Sequence, residues 1–154
     1  LKDVNSLTTN QQACIPVNVC LKTSIELDGE KESYELSLSG EFYEKNRAFY
    51  LKYDEEQEEG TVHTIVKFVE KRALIIRSGA VKMRLAFDLG QPVRGSYESQ
   101  YGTLLLTTQT NTLTHSCTYN ETSLQGALQL NYLMQMQGAP AGKYSMNIEF
   151  TGRK

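Results

Sequence analysis

The sequence predicts an all-β protein, an antiparallel up-and-down meander that closes into a barrel of about eight to ten strands. The odd positions Ile15, Val17, Val19, Leu21, Thr23, Ile25 and Leu27 form an unbroken apolar or methyl-bearing stripe against polar even positions, the period-two signature of a strand with one dry face. The alternation recurs in most later segments, each closed by a short turn, and no stretch of the length of a helix carries a helical period. Long connections are few, so neighbours in sequence can be neighbours in space, which favours an up-and-down barrel over a Greek-key sandwich.

Each element follows from local pattern. Slipping the first strand by one residue would expose its whole stripe, at roughly 1.5–3 kcal/mol for each large aliphatic. At about 3.3 Å per residue Ile15 to Leu27 would span about 43 Å, so a bend or bulge is expected there. Asp28-Gly29 is a hairpin signal leading to a second strand with Tyr34, Leu36 and Leu38 on one face. Gly40 then allows a bend into a short strand at Phe42 and Tyr43, and after Lys45-Asn46-Arg47 another short strand carries Phe49, Leu51 and Tyr53. The acidic run Asp54 to Glu59, closed by Gly60, has no apolar member and reads as a solvated loop without the ligand spacing of a calcium site.

Thr61 to Val69 is a strand with Val62, Val66 and Phe68 on one face and His63, Ile65, Lys67 and Val69 on the other. Ala73 to Ile76 and Leu104 to Leu106 are apolar throughout, which predicts strands covered on both sides or lining an enclosed space. Between them, Val81, Met83, Leu85 and Phe87 alternate on another strand. Gly90-Gln91-Pro92 is a turn, Ser96 to Tyr101 a short strand, and Thr103 to Thr110 a Thr-rich one. Leu128, Leu130, Tyr132, Met134 and Met136 form an even stripe, and beyond a turn at Gly138-Ala139-Pro140-Ala141-Gly142 so do Tyr144, Met146, Ile148 and Phe150.

The 154 residues fit a single barrel domain over 13–154, preceded by a polar segment 1–12 expected to be flexible. No apolar run approaches the roughly 18 residues of a membrane helix, and the start lacks the pattern of a signal peptide. Cys14, Cys20 and Cys117 are an odd number of thiols, which suits free cysteines in a reducing cytoplasm.

From Tyr50 to Thr110 a spaced set of residues stands out: Tyr50-Leu51-Lys52-Tyr53, Glu55, Gly60, Thr64-Ile65-Val66-Lys67, Arg77-Ser78-Gly79, Met83, Phe87, Tyr97, Tyr101-Gly102 and Thr110. This pattern resembles the YwiB-like family of small bacterial proteins, with Ser99-Gln100 standing where many members carry Thr-Pro. The resemblance implies a calycin-type, lipocalin-like barrel and implies no activity or catalytic residue.

Charge is the clearest functional hint. Between Glu26 and Glu59 twelve acids face four bases, a balance of −8, and between Lys67 and Arg94 seven bases face two acids, a balance of +5. Cross-strand pairing accounts for much of this at about 0–1 kcal/mol per exposed pair. The sharper expectation is a small-ligand site for a partly apolar, anionic or amphipathic molecule. Arg77, which follows the apolar run Ala73 to Ile76, would need Glu55 or a ligand to satisfy its guanidinium. Lys67 would stand near it, and Tyr53, Tyr97 and Tyr101 would supply phenolic hydroxyls.

The alternative from a different class is a side-chain-filled barrel that binds a protein partner through its charged faces or an exposed edge strand. A third is a hydrolase-like enzyme using His63 or His115, although no hydrolase, P-loop or Cys-x-x-Cys motif is present. His115 shares a strand face with Cys117, but two ligands do not make a zinc site, and neither a metal nor a cofactor is expected. Nucleic acid would use the basic strands with Phe68 and Phe87 as a stacking platform, and the net charge of −2 counts against it.

Overall fold

The computed structural model describes residues 14–153, and the segment 1–12 lies outside the described residues. Ten strands follow in order: β1 (Ile15–Leu27), β2 (Glu30–Lys45), β3 (Ala48–Gln57), β4 (Gly60–Val69), β5 (Arg72–Gly79), β6 (Lys82–Asp88), β7 (Val93–Ser99), β8 (Gly102–Tyr119), β9 (Leu124–Met136) and β10 (Ala139–Gly152). Each pairs antiparallel with its neighbours in sequence, and β1 closes the barrel against β10. The turns Asp28-Gly29 and Gln137-Gly138 hold two left-handed residues each, with φ of 54° and 80° and of 53° and 82°, the geometry whose twist matches a hairpin.

The inward stripes are those the alternation predicts, with two corrections of parity. Thr108 and Thr110 face inward on β8, the ladder shifts between Thr110 and Thr112, and Leu113, His115 and Cys117 then follow on the inward side. Asn111 is the extra residue; without it Leu113 would point to water. The second shift falls between Pro140 and Gly142, where a proline lacking an N–H costs the ladder least. β1 itself pairs in unbroken register with both β2 and β10, so the bulge expected in it lies instead on β8 and β10.

Other boundaries differ from expectation for identifiable reasons. β2 runs straight through Gly40, since a glycine there permits close approach: a Cβ would lie 2.6 Å from the Lys52 carbonyl. Asp54 to Gln57 extends β3 because backbone pairing with Gly60 to His63 does not depend on side-chain polarity. Ala139 to Gly142 belongs to β10, as the two-residue turn before it suffices to reverse the chain. β7 runs from Val93 to Ser99, leaving Gln100 and Tyr101 in the turn. The fully apolar runs lie in a single wall, so Ile76 and Leu105 point outward and are 38% and 42% exposed. Outward positions such as Asn18, Lys22, Lys52, Gln129 and Asn147 are polar and exposed, the reverse of the apolar outer band of a transmembrane barrel.

The two ends of the interior are built differently. One is filled by rings: Phe42 stacks on Phe150 at 5.3 Å and on Phe49 at 5.8 Å, and Phe68 approaches Phe150 at 6.4 Å. Each buried phenylalanine stabilises the fold by about 1.5–3 kcal/mol. The opposite end carries tyrosines and methionines.

The wall also has a seam. β2 pairs with β1 from Glu30 to Phe42, but with β3 only from Gly40↔Tyr53 to Lys45↔Ala48. Continuing that register would set Leu38 against Glu55 and Glu35 against Glu58, one apolar–charged mismatch and one like-charge pair, so the strands part there.

Gly126 is where the aromatic end is tightest. A Cβ there would sit 2.2 Å from Phe150 Cζ, on a ring already confined by Phe42 and Phe68. Gly126→Ala is expected to lower stability by about 1–3 kcal/mol, read as a lower urea midpoint at constant m-value. An unchanged midpoint would show that the ring moves aside freely.

Candidate functional site: the tyrosine–methionine cavity

At the end away from the cluster of Phe42, Phe49, Phe68 and Phe150, residues from eight strands enclose a cavity of about 240 Å³. Its polar members are Thr23 on β1, Tyr34 on β2, Tyr53 and Glu55 on β3, Thr64 on β4, Arg77 on β5, and Tyr132 and Tyr144 on β9 and β10. Met83, Met134 and Met146 supply much of the apolar lining. The chain has four methionines, and the fourth, Met136, packs against the core nearby.

Arg77 donates from Nη2 to Glu55 Oε2 at 3.5 Å, with the side chains 23% and 13% exposed. The strand order brings them together: Thr64 pairs with Tyr53 on one side and Arg77 on the other, and Glu55 lies two residues beyond Tyr53 on the same face. A guanidinium has five donors, and among the described residues this long contact is the one side-chain hydrogen bond that Arg77 makes. Thr23 and Thr64 are 4% and 2% exposed, and their hydroxyls find no hydrogen-bond partner among the described residues. A buried polar group left unpaired costs about 1–3 kcal/mol, so these two hydroxyls favour a polar guest.

Three of the phenols, Tyr53, Tyr132 and Tyr144, are held protonated. Burial pushes the Tyr53 hydroxyl well above its ordinary range, the Glu55 carboxylate adds to this, and Arg77 opposes it. Tyr132 is raised by burial and then by Tyr144 and Tyr34, again with Arg77 opposing, while burial and Tyr34 raise Tyr144. Tyr132 and Tyr144 stack at 5.0 Å with their planes 5° apart, and Phe87 meets Tyr132 edge-on at 4.7 Å. The arrangement is an apolar, pliable cup lined by hydroxyls and by one cation, Arg77.

Of the residues expected in the site, Arg77, Tyr53 and Glu55 come together. Lys67 does not: Thr64, Val66 and Phe68 point inward, so Lys67 faces out, its Nζ 5.7 Å from the Tyr50 ring centroid. Tyr97 is half-buried between Met83 and Leu104 and packs on the core outside the cavity lining. Tyr101 is 87% exposed, because β7 ends at Ser99 and the turn directs this side chain to water. Thr23, Tyr34, Thr64, Tyr132, Tyr144 and the three methionines were not foreseen as ligand-facing. Their signal was that the inward stripes at this end carry Tyr and Met where the other end carries Phe.

The histidines lie elsewhere. His63 Nδ1 pairs with Asp54 Oδ1 at 2.8 Å on the outer wall, beside a surface groove of about 520 Å³. His115 packs on Phe68 at 5.1 Å, with Nε2 3.0 Å from the Glu70 carbonyl. No group of three metal-ligating side chains occurs among the described residues. Phe68 and Phe87 are buried inward, so neither forms the stacking platform expected of them on the basic strands.

Fold and cavity define a closed ten-stranded β-barrel with an internal site at one end. The chain belongs to the family described as a domain of unknown function, DUF1934, which matches residues 19–148. It is 33% identical over 137 residues to the uncharacterized beta-barrel protein YwiB of Bacillus subtilis (strain 168), covering 89% of this chain and 94% of that protein. It is also similar to the crystal structure of the ywiB protein from Bacillus subtilis, with a TM-score of 0.82 and 32% identity over 96% of this chain and 99% of that one. The resemblance read from Tyr50 to Thr110 therefore extends to both flanks of the barrel.

The raised phenols set a pH dependence. In the folded protein Tyr53 and Tyr132 keep their protons above the ordinary phenol value of 10.0, whereas the unfolded chain loses them near it. Their contribution to stability is complete below pH 10 and lost as pH rises through the folded-state values. Urea midpoints are expected to be flat on this account up to about pH 10 and to fall above it, less steeply in a Tyr53→Phe, Tyr132→Phe variant. Equal slopes in both proteins would contradict the assignment.

Proposed function

We propose that this protein is a non-enzymatic binding barrel that holds a small, partly apolar ligand with an anionic or hydrogen-bond-accepting head at its tyrosine–methionine end. The carrying observation is the pair of buried, unpartnered hydroxyls of Thr23 and Thr64 in a cavity whose one cation, Arg77, is incompletely satisfied by Glu55. Methionine supports such a role because its unbranched, polarisable side chain adapts to irregular apolar shapes. The volume of about 240 Å³ lies below the range of about 300–1,000 Å³ common for drug-sized ligands, which favours a small molecule. Enclosing a ligand among inward wall residues is the calycin-type use of a barrel. A cytoplasmic setting fits the three free thiols Cys14, Cys20 and Cys117.

Octanoate and octanol are suitable probes, being equal in chain and different in head. In methyl-labelled protein, octanoate is expected to shift Met83, Met134 and Met146 and to bind about tenfold or more tighter than octanol, as one charge-assisted hydrogen bond implies. Arg77→Met should abolish the preference while leaving the methionine shifts caused by octanol. Unmoved methionines, or a preference that survives the substitution, would overturn the proposal.

A further inference from the structure

We infer that the free edge of β2, Glu30–Ser39, docks an extended Lys/Arg-rich segment of another protein, which adds to it as a strand. This stands apart from the cavity proposal and rests on the seam. From Ser39 back to Glu30, β2 is paired by β1 alone, and from Asp54 to Gln57, β3 is paired by β4 alone. Two strand edges therefore border one slot, and each presents a row of main-chain N–H and C=O groups that the sheet does not use. Among the described residues, no turn or loop backbone bond covers either row.

The character of the slot selects its occupant. Tyr34 and Tyr53, on its two sides, both line the cavity, and the inward Leu36 and Leu38 are half-buried. An incoming strand would thus set alternate side chains toward apolar surface and the others toward water. The strip is acidic: Glu30 and Glu32 follow Tyr34 on the same side of β2 and lie exposed, Glu35 and Lys31 stand on its outer side, and Asp54, Glu56, Glu58 and Glu59 lie across the slot. Asp54 has His63 as a partner and Glu56 has Thr61, but no side-chain partner among the described residues meets Glu30 or Glu32.

A second copy would bring the same carboxylates edge to edge, and like charges directly opposite are destabilising. A basic segment neutralises them and gains main-chain hydrogen bonds along the strand, with attraction that weakens as salt rises.

The test uses a fluorescein-labelled octapeptide alternating lysine and valine, and a counterpart alternating glutamate and valine. The basic peptide is expected to bind, to lose affinity with added salt, and to slow amide exchange within Glu30–Ser39. The acidic peptide should do none of these. Glu30→Lys with Glu32→Lys, both at exposed positions, should weaken the basic peptide about tenfold or more, while the methionine response to octanoate persists. Equal binding of both peptides, no binding of the basic one, or binding that leaves the Glu30–Ser39 amides unprotected would each overturn the inference.

Discussion

Closure of the ladder between β1 and β10 is the constraint on which the rest of the structure depends. Once ten strands form a ring, every residue is committed to the interior or to water, and a slip anywhere inverts a whole stripe. The chain carries two devices that keep the commitment consistent. The extra residue at Asn111 lets β8 change from even to odd inward positions, and the shift between Pro140 and Gly142 does the corresponding work as β10 begins. With register held in this way, Val19 and Phe150 meet across the closing pair and join one continuous core.

The same ring separates a filled end from a receptive one. Phe42, Phe68 and Phe150 interlock across the interior from β2, β4 and β10. At the other end the stripes carry Tyr132, Met134, Tyr144 and Met146, whose shapes and hydroxyls leave space and offer hydrogen bonds. Arg77 is tolerated there because Glu55 lies diagonally across β4, and Glu55 reaches that position because β3 continues as a strand through an acidic run. The opening between β2 and β3 follows from those same acids, since a continued register would have packed Glu55 against Leu38.

Much of this was legible in the residues. Period-two patterning identified most of the strands, a range of eight to ten for their number, and the meander, because in a one-layer wall burial alternates strictly and turns are short. The pairing of Arg77 with Glu55 was also foreseeable from the cost of leaving a guanidinium unsatisfied. What alternation does not encode is parity across a bulge, or which end of a strand faces which end of its distant partners. Lys67 and Arg77 both lie on strands with apolar residues on each face, and the ladder alone decides that one points out and the other in. Tyr101 follows the same logic: its strand stops two residues early, and an aromatic expected in the site stands in water. Polar composition misled at Asp54 to Gln57, where main-chain pairing with β4 outweighed it.

The central claim is that the tyrosine–methionine end holds a guest. The most direct measurement is native mass spectrometry of the protein purified gently from its own cells, set against its denatured mass. A non-covalent adduct small enough for a cavity of about 240 Å³ and lost on denaturation is the predicted result. The mass of the bare chain in both states would contradict the account.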